Sequence, residues 1–161
     1  MYNKKNKKIG AKWNMKILTK AFGEVEIDPK DIIKIKSGIF GFPKYTKYVI
    51  MMIPEEEPFA WLQCVEEPNL AFVIIRPEVF KKNYILKVDK EVLNTLNVQS
   101  TDELISYAIV VVPEKLEQMT ANLQGPIVIN PKTKEGVQAI SLVEEYTVRH
   151  YILKEMNELK G

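Results

Sequence analysis

One stretch in the last third of the chain limits its possible folds more than any other. Residues 119–140 have the sequence MTANLQGPIVINPKTKEGVQAI. The run 127–129 is β-branched throughout, which favours a strand. Asn130-Pro131 is typical of a turn, and Gly136 is expected to close that turn with a positive φ. A returning strand is predicted over residues 137–142, so the stretch indicates a β-hairpin.

The first strand of this hairpin has no polar face. Three consecutive apolar residues alternate to both sides of a strand, so both sides must be covered. Gly125-Pro126 is expected to break the chain just before it. The sequence therefore predicts that this strand lies inside a closed or sandwiched sheet.

The rest of the chain also favours short strands, in about ten segments separated by Gly, Pro and Asn. Asp89 is predicted to cap one short helix over residues 90–96, and Ser100 with Glu103 forms a capping-box pattern that opens one further helical turn. A parallel crossover between the flanking strands remains possible. The predicted fold is mainly β: a single-domain antiparallel β-barrel-like fold with one or two short helices.

Charge divides the chain unevenly. Residues 1–14 contain five lysines and no acid, which leaves 18 basic and 21 acidic residues, a net charge of −3, from Met15 onward. The acidic residues occur in groups, including 55–57 and 66–67. A surface of this kind repels nucleic-acid phosphates and suits a basic protein partner, whereas isolated acidic runs more often only solvate the surface.

The two ends of the chain are predicted to differ from its middle. Residues 1–14 are expected to be a disordered extension, or to precede a true start at Met15, and we expect their lysines to be a solvated tail rather than a nucleic-acid site. Residues 15–150 are predicted to form the β domain. Residues 151–161 form a tail with apolar residues at helical spacing, which favours a terminal helix.

One candidate binding face lies on a predicted strand over residues 59–65. Phe59, Trp61 and Gln63 alternate onto one side of it, where an aromatic pair beside an amide is typical of interfaces. The alternative is that both aromatic residues belong to the core. The acidic residues Glu55, Glu56 and Glu57 precede this strand as a predicted rim.

A second candidate face lies at the start of the hairpin stretch. Thr120 and Asn122 alternate to one side, away from the apolar residues between them. Either they bind a partner, or they satisfy neighbouring loop backbone, and the sequence does not separate these readings. They would join the first face if the two strands lay together. Upstream, the loop 38–43, GIFGFP, is expected to fold its aromatic residues onto the core.

No residue pattern indicates catalysis. His150 is the single histidine and Cys64 the single cysteine, so neither a zinc site nor a Cys–His pair has a signature. No glycine-rich phosphate loop, metal site or cofactor site is predicted. The remaining classes are a protein-binding regulator, a small β-barrel that binds a small apolar ligand, and an unrecognised hydrolase.

Four blocks resemble one family closely and in order. They are GIFGFP at 38–43, FAWLQCVEEPNLAFVII at 59–75, AIVVVPEKLEQ at 108–118 and MTANLQGPIVIN at 119–130. These blocks resemble the flagellar assembly factor FliW family over about residues 15–150. The glycine at position 125 departs from the alanine expected there.

The resemblance implies a cytoplasmic, chaperone-like regulator. It would bind flagellin and the RNA-binding translational regulator CsrA, relieving CsrA's repression of flagellin synthesis. Grouped carboxylates suit a partner that presents basic surface to RNA. No direct contact with nucleic acid and no membrane association are expected, and no window of the sequence has the apolar length that spans a bilayer.

Overall fold

The structure, a computed structural model, describes Tyr2–Asn3 and residues 14–160. The elements are β1 (Tyr2–Asn3), β2 (Met15–Thr19), β3 (Gly23–Ile27), β4 (Ile33–Ile35), β5 (Lys47–Met52), β6 (Phe59–Cys64), β7 (Ala71–Ile75), α1 (Lys90–Thr95), β8 (Ile105–Val111), β9 (Thr120–Asn130), β10 (Glu135–Gln138), β11 (His150–Tyr151) and α2 (Ile152–Leu159). Several single 3-10 turns connect them.

Seven of these strands close into a barrel. The ring runs β5-β4-β10-β9-β8-β7-β6 and returns to β5. Its pairs are antiparallel except for β4 with β10, which are parallel. The prediction of a mainly β, mostly antiparallel barrel is confirmed. The possible parallel crossover around α1 is wrong, because β7 and β8 pair antiparallel.

The inside of the barrel is filled by one apolar set. It comes from alternate residues of the ring strands, as the strand period of two requires. Its buried members include Ile35, Tyr48, Ile50, Leu62, Cys64, Ile74, Ile127 and Ile129. Complete burial of each aliphatic side chain of this size stabilises the fold by about 1.5–3 kcal/mol.

Three outer layers cover the outside of the barrel. The hairpin β2–β3 packs on β5 and β6, α2 packs on β8 and β9, and the segment around α1 packs on Val128. Ile127 and Ile129 face inward while Val128 faces this outer layer. Cover on both sides of the run 127–129 is therefore confirmed, and it keeps the strand from water.

The break predicted at Gly125-Pro126 is wrong, because β9 continues through it. Between its two paired halves, residues 123–126 of β9 lie opposite the single residue Ala108 of β8. Leu123 N and Gln124 N donate to Thr147 O at 3.0 and 3.2 Å, so this bulge keeps its backbone bonds. Proline is tolerated because its missing N–H falls where the β8 ladder is already interrupted.

The turn after β9 differs in its closing residue. Lys134, with φ 59°, takes the left-handed conformation predicted for Gly136. Gly136 is needed for close approach instead, since a Cβ there would lie 2.8 Å from the Val128 carbonyl oxygen. The returning strand β10 begins two residues earlier than predicted and ends at Gln138.

Local helix signals are confirmed. The Asp89 side chain accepts a hydrogen bond from Glu91 N at the start of α1. Ser100 and Glu103 form the predicted capping box around one 3-10 turn. The C-terminal tail contains α2, in agreement with its helical spacing.

The predicted disorder of residues 1–14 falls largely on residues outside those that the structure describes. Of residues 1–13, the structure describes the backbone of Tyr2–Asn3, which pairs in parallel with Met51 and Met52 of β5. Among the described residues, no helix has the length and apolar character needed to cross a membrane.

Candidate protein-binding surfaces

The first predicted face, on β6, is mostly covered. The Trp61 ring packs edge-on against Phe22 of the β2–β3 hairpin, with ring centroids 5.5 Å apart. Phe59 is partly buried against the layer that holds α2. The core alternative is therefore the better description of both aromatic side chains, and the hairpin that covers Trp61 is the physical reason.

Gln63 is fully buried, so its prediction as an accessible contact residue is wrong. Its Nε2 donates to the carbonyl oxygens of Cys64, Pro68 and Leu70 at 3.1–3.2 Å. Its Oε1 has no hydrogen-bond partner among the residues that the structure describes. Because these carbonyls flank the turn between β6 and β7, the amide fixes that turn.

The acidic rim remains exposed. Glu55, Glu56 and Glu57 lie at the 3-10 turn Pro54–Glu56 and the residue after it. Glu56 Oε2 accepts a hydrogen bond from Trp61 Nε1 at 2.8 Å, which joins the rim to the edge of the indole. Rim and indole therefore form one surface, and we name residues 55–57 with Trp61 the acidic surface.

The second predicted face lies elsewhere on the barrel. β6 and β9 are separated in the ring by β7 and β8, so the condition for one combined surface is not met. Thr120 is buried beside Val111 in the ladder. Asn122 Oδ1 accepts from Gln124 N at 3.0 Å and Gly125 N at 2.9 Å. Its oxygen thus satisfies the bulge backbone, as the structural alternative predicted.

Asn122 also lies in an open groove at one end of the barrel. The groove encloses about 350 Å³ between the loop 38–43 and strands β7 to β9. It is lined by Ile39, Phe40, Phe72, Ile109, Val111, Asn122, Gln138, Val148 and Arg149. We name this site the barrel-end groove.

Exposed apolar side chains form the walls of the barrel-end groove. Phe40 is 56% exposed, Val111 62% and Val148 51%. Phe42 is 41% exposed and packs edge-on against Phe72. The expectation that the loop aromatics fold onto the core is therefore wrong for Phe40; Ile39, at 1% exposure, fills that place instead.

The loop conformation explains this outcome. Gly38 has φ 66°, and a Cβ there would lie 2.5 Å from Phe42 O and 2.8 Å from Tyr45 O. The chain thus folds tightly on itself around Gly38 and directs Ile39 inward. An aromatic ring at position 40 is then left on the outer side.

Hydrogen bonds hold the groove walls together. Gln138 Oε1 accepts from Phe40 N at 2.8 Å, and Gln138 Nε2 donates to Gly125 O at 2.9 Å. One amide therefore ties the loop 38–43 to the bulge of β9. On the opposite wall, Thr147 O accepts from Leu123 N and Gln124 N. A groove fixed in this way loses little conformational entropy when a partner binds.

The sequence analysis did not single out Phe40, Gln138 or Arg149 as contact residues. They come from three distant segments, and periodicity within one segment does not bring them together. The usable signal was local: the two glycines of the block at 38–43 allow a tight loop with aromatic residues at its tip.

The residues with reactive side chains have structural surroundings. Burial raises the pKa of the Cys64 thiol, which disfavours the reactive thiolate. His150 Nδ1 lies 2.9 Å from Glu155 Oε2, and its Nε2 accepts from Thr147 N at 2.9 Å. Within residues 14–160, no three His, Cys, Asp or Glu side chains cluster as a metal site would need.

Comparison with known proteins agrees with the barrel and its outer layers. The family model described as FliW protein matches residues 16–152. The flagellar assembly factor FliW of Alkaliphilus metalliredigens (strain QYMF) is 44% identical over 147 residues, covering 91% of each chain. That of Thermoanaerobacter pseudethanolicus (strain ATCC 33223 / 39E) is 43% identical, covering 88% of this chain and 95% of its own.

A solved structure shows the same fold. The crystal structure of the flagellar assembly factor FliW overlays with a TM-score of 0.79 at 36% identity, covering 86% of this chain and 96% of that chain. From its sequence and its fold, this chain belongs to the FliW family of flagellar assembly factors.

Proposed function

We propose that this chain is a cytoplasmic protein-binding regulator that binds flagellin and antagonises a CsrA-type translational regulator. In this role it couples flagellin synthesis to filament assembly. The observation that carries the proposal is family membership: the chain is 44% identical to a flagellar assembly factor over an alignment that covers 91% of its length. No enzymatic activity, cofactor or direct contact with nucleic acid or membrane is part of it.

Two surfaces on this chain support partner binding. The acidic surface presents three consecutive carboxylates, which favour encounter with a basic, RNA-binding partner such as CsrA. The barrel-end groove presents apolar walls, which favour burial of apolar side chains from a second protein. Because the ring separates β6 from β9 by two strands, the surfaces are distinct.

The alternative of a small apolar ligand inside the barrel has less support. Large side chains occupy that interior, among them Tyr48, Leu62, Ile74 and Ile127, all fully buried. The barrel-end groove is open and leaves its walls exposed, whereas small-ligand sites bury most of the ligand. We therefore favour protein partners.

The experiment measures binding and its consequence together. The full chain is titrated against purified CsrA and purified flagellin from the same organism, and CsrA bound to the flagellin messenger leader is followed by filter binding. We expect complexes with both proteins, release of the messenger on addition of this chain, and reduced release when flagellin is also added. Failure of wild type to bind either protein contradicts the proposal.

Charge reversal in the acidic surface tests its part. We expect Glu55→Lys with Glu57→Lys to slow association with CsrA, more strongly at low salt, because exposed charges steer encounter within about a Debye length. Glu56 is kept so that its hydrogen bond to Trp61 remains. Glu91→Lys with Glu117→Lys makes the same charge change at exposed positions on α1 and on the 3-10 turn Leu116–Gln118, and serves as the control. Equal rates for both pairs contradict a role for this surface.

A further inference from the structure

The polar groups of the barrel-end groove define its ligand more closely than its apolar walls do. Asn122 uses its oxygen for the bulge backbone, and its Nδ2 has no hydrogen-bond partner among the described residues. The groove therefore offers an amide donor at its base. Asn122 is partly exposed, so an acceptor on a bound ligand would replace water at this donor.

Arg149 supplies a cation on the same groove. It is exposed, and no ion pair to its guanidinium is present within residues 14–160. The sequence contains 21 lysines but two arginines, Arg76 and Arg149. Arg76 lies near Glu78 and over the Tyr107 ring. Guanidinium suits a bidentate contact with a carboxylate at an interface better than ammonium does.

The backbone around Arg149 is held in place. Thr147 O accepts two N–H groups from β9, and His150 pairs with Ala121 in the β11–β9 ladder. Arg149 lies between these two anchors. The backbone at Arg149 is thus fixed, so pairing with a ligand orders the Arg149 side chain without ordering the backbone as well.

We infer that the barrel-end groove binds a protein segment that combines apolar side chains with a carboxylate. The apolar side chains pack on Phe40, Val111 and Val148, and the carboxylate pairs with Arg149. An acceptor of the segment, such as a backbone carbonyl oxygen, accepts a hydrogen bond from Asn122 Nδ2. This inference rests on the proposed function, and it adds the chemistry of the segment that the regulator selects.

Charge complementarity makes this segment different from the partner of the acidic surface. A basic partner meets carboxylates at residues 55–57, whereas a segment in the groove meets a cation. One chain can therefore select two partners of opposite local charge on two surfaces.

The first test locates the segment. Phe40 is replaced by p-benzoylphenylalanine in the full chain, which is then irradiated with purified flagellin and, separately, purified CsrA. We expect cross-links to one segment of one partner that contains apolar residues and an Asp or Glu. The control places the same group at Leu18, which is 59% exposed on the β2–β3 hairpin. The same cross-links from both positions, or cross-links to a second copy of this chain, overturn the inference.

The second test exchanges the charges. We expect Arg149→Glu to weaken binding of that partner about tenfold or more, and substitution of the cross-linked acid by Arg in the partner to restore much of the loss. Lys30→Glu, an equal charge change at an exposed position outside the groove, should leave binding within about twofold. Wild-type affinity in Arg149→Glu overturns this inference alone. Absence of wild-type binding to both partners contradicts the proposed function as well.

Discussion

The outer face of β6 and the barrel-end groove contain aromatic residues with opposite environments. On β6, Trp61 packs under the β2–β3 hairpin and Gln63 is fully buried. In the groove, Phe40 is 56% exposed on a loop tip. For the loop the sequence predicted packed aromatic residues, and for β6 it left an interface and the core as alternatives.

The difference shows that alternation places residues on a face but does not say what covers that face. Trp61 and Gln63 do share one side of β6, as predicted. That side is closed by a hairpin from residues 15–27, and nothing in β6 itself specifies this cover. The groove stays open because Gly38 turns the chain so that Ile39 fills the core.

The largest expected effect is on the covered face. We expect Trp61→Ala to lower the free energy of unfolding by about 2–4 kcal/mol, because it removes a large ring from a packed cluster. Chemical denaturation measures the loss. Leu18→Ala, on the same layer but 59% exposed, should change stability by less than about 0.5 kcal/mol. Equal midpoints for the two variants would mean that the hairpin does not pack on Trp61.

The second effect concerns the loop that opens the groove. We expect Gly38→Ala to destabilise by at least about 2 kcal/mol, from left-handed strain added to a backbone clash. Gly41→Ala is the matched control, because its φ is 91° but no atom of residues 14–160 lies within 4 Å of its added Cβ. It should lose less stability than Gly38→Ala. A larger loss at Gly41 would contradict the tight turn around Gly38.

The third effect separates stability from binding. We expect Phe40→Ala to change the free energy of unfolding by less than about 1 kcal/mol, since the ring is mostly in water already. Its affinity for the groove partner should fall about tenfold or more, as expected for a central aromatic contact. Thermal melting and titration are measured on the same sample. A large decrease in melting temperature with unchanged affinity would show that Phe40 stabilises the fold and does not contact the partner.

The smallest effect is at Gly125, which lies beside the groove residues Gln138 and Asn122. A Cβ on Gly125 would lie 3.1 Å from Gln138 Nε2 and 3.3 Å from Asn122 Nδ2. These are ends of side chains that can shift slightly, and alanine also reduces the entropy of the unfolded chain, so Gly125→Ala should change stability by less than about 1 kcal/mol. Denaturation midpoints check this. A loss above that limit would show that Gln138 and Asn122 have no room to move.

Local signals in the sequence determined much of this protein. The caps at Asp89 and Ser100, the cover on both sides of residues 127–129 and the mainly β barrel all follow from short-range pattern and strand period. They are predictable because each depends on a few neighbouring residues. The resemblance in four ordered blocks identified the family for the same reason, since those blocks are contiguous.

Tertiary structure decided which surfaces remain open. Proline at position 126 stays within β9 because the β8 ladder is interrupted at that bulge. Asn122 Oδ1 accepts a hydrogen bond from Gly125 N, so its oxygen is used by the bulge backbone. The groove joins residues from position 39 to position 149, so no local pattern predicts it. Side-chain exposure depends on the second layer packed over each strand, and that layer is set by long-range contacts rather than by the strand's own sequence.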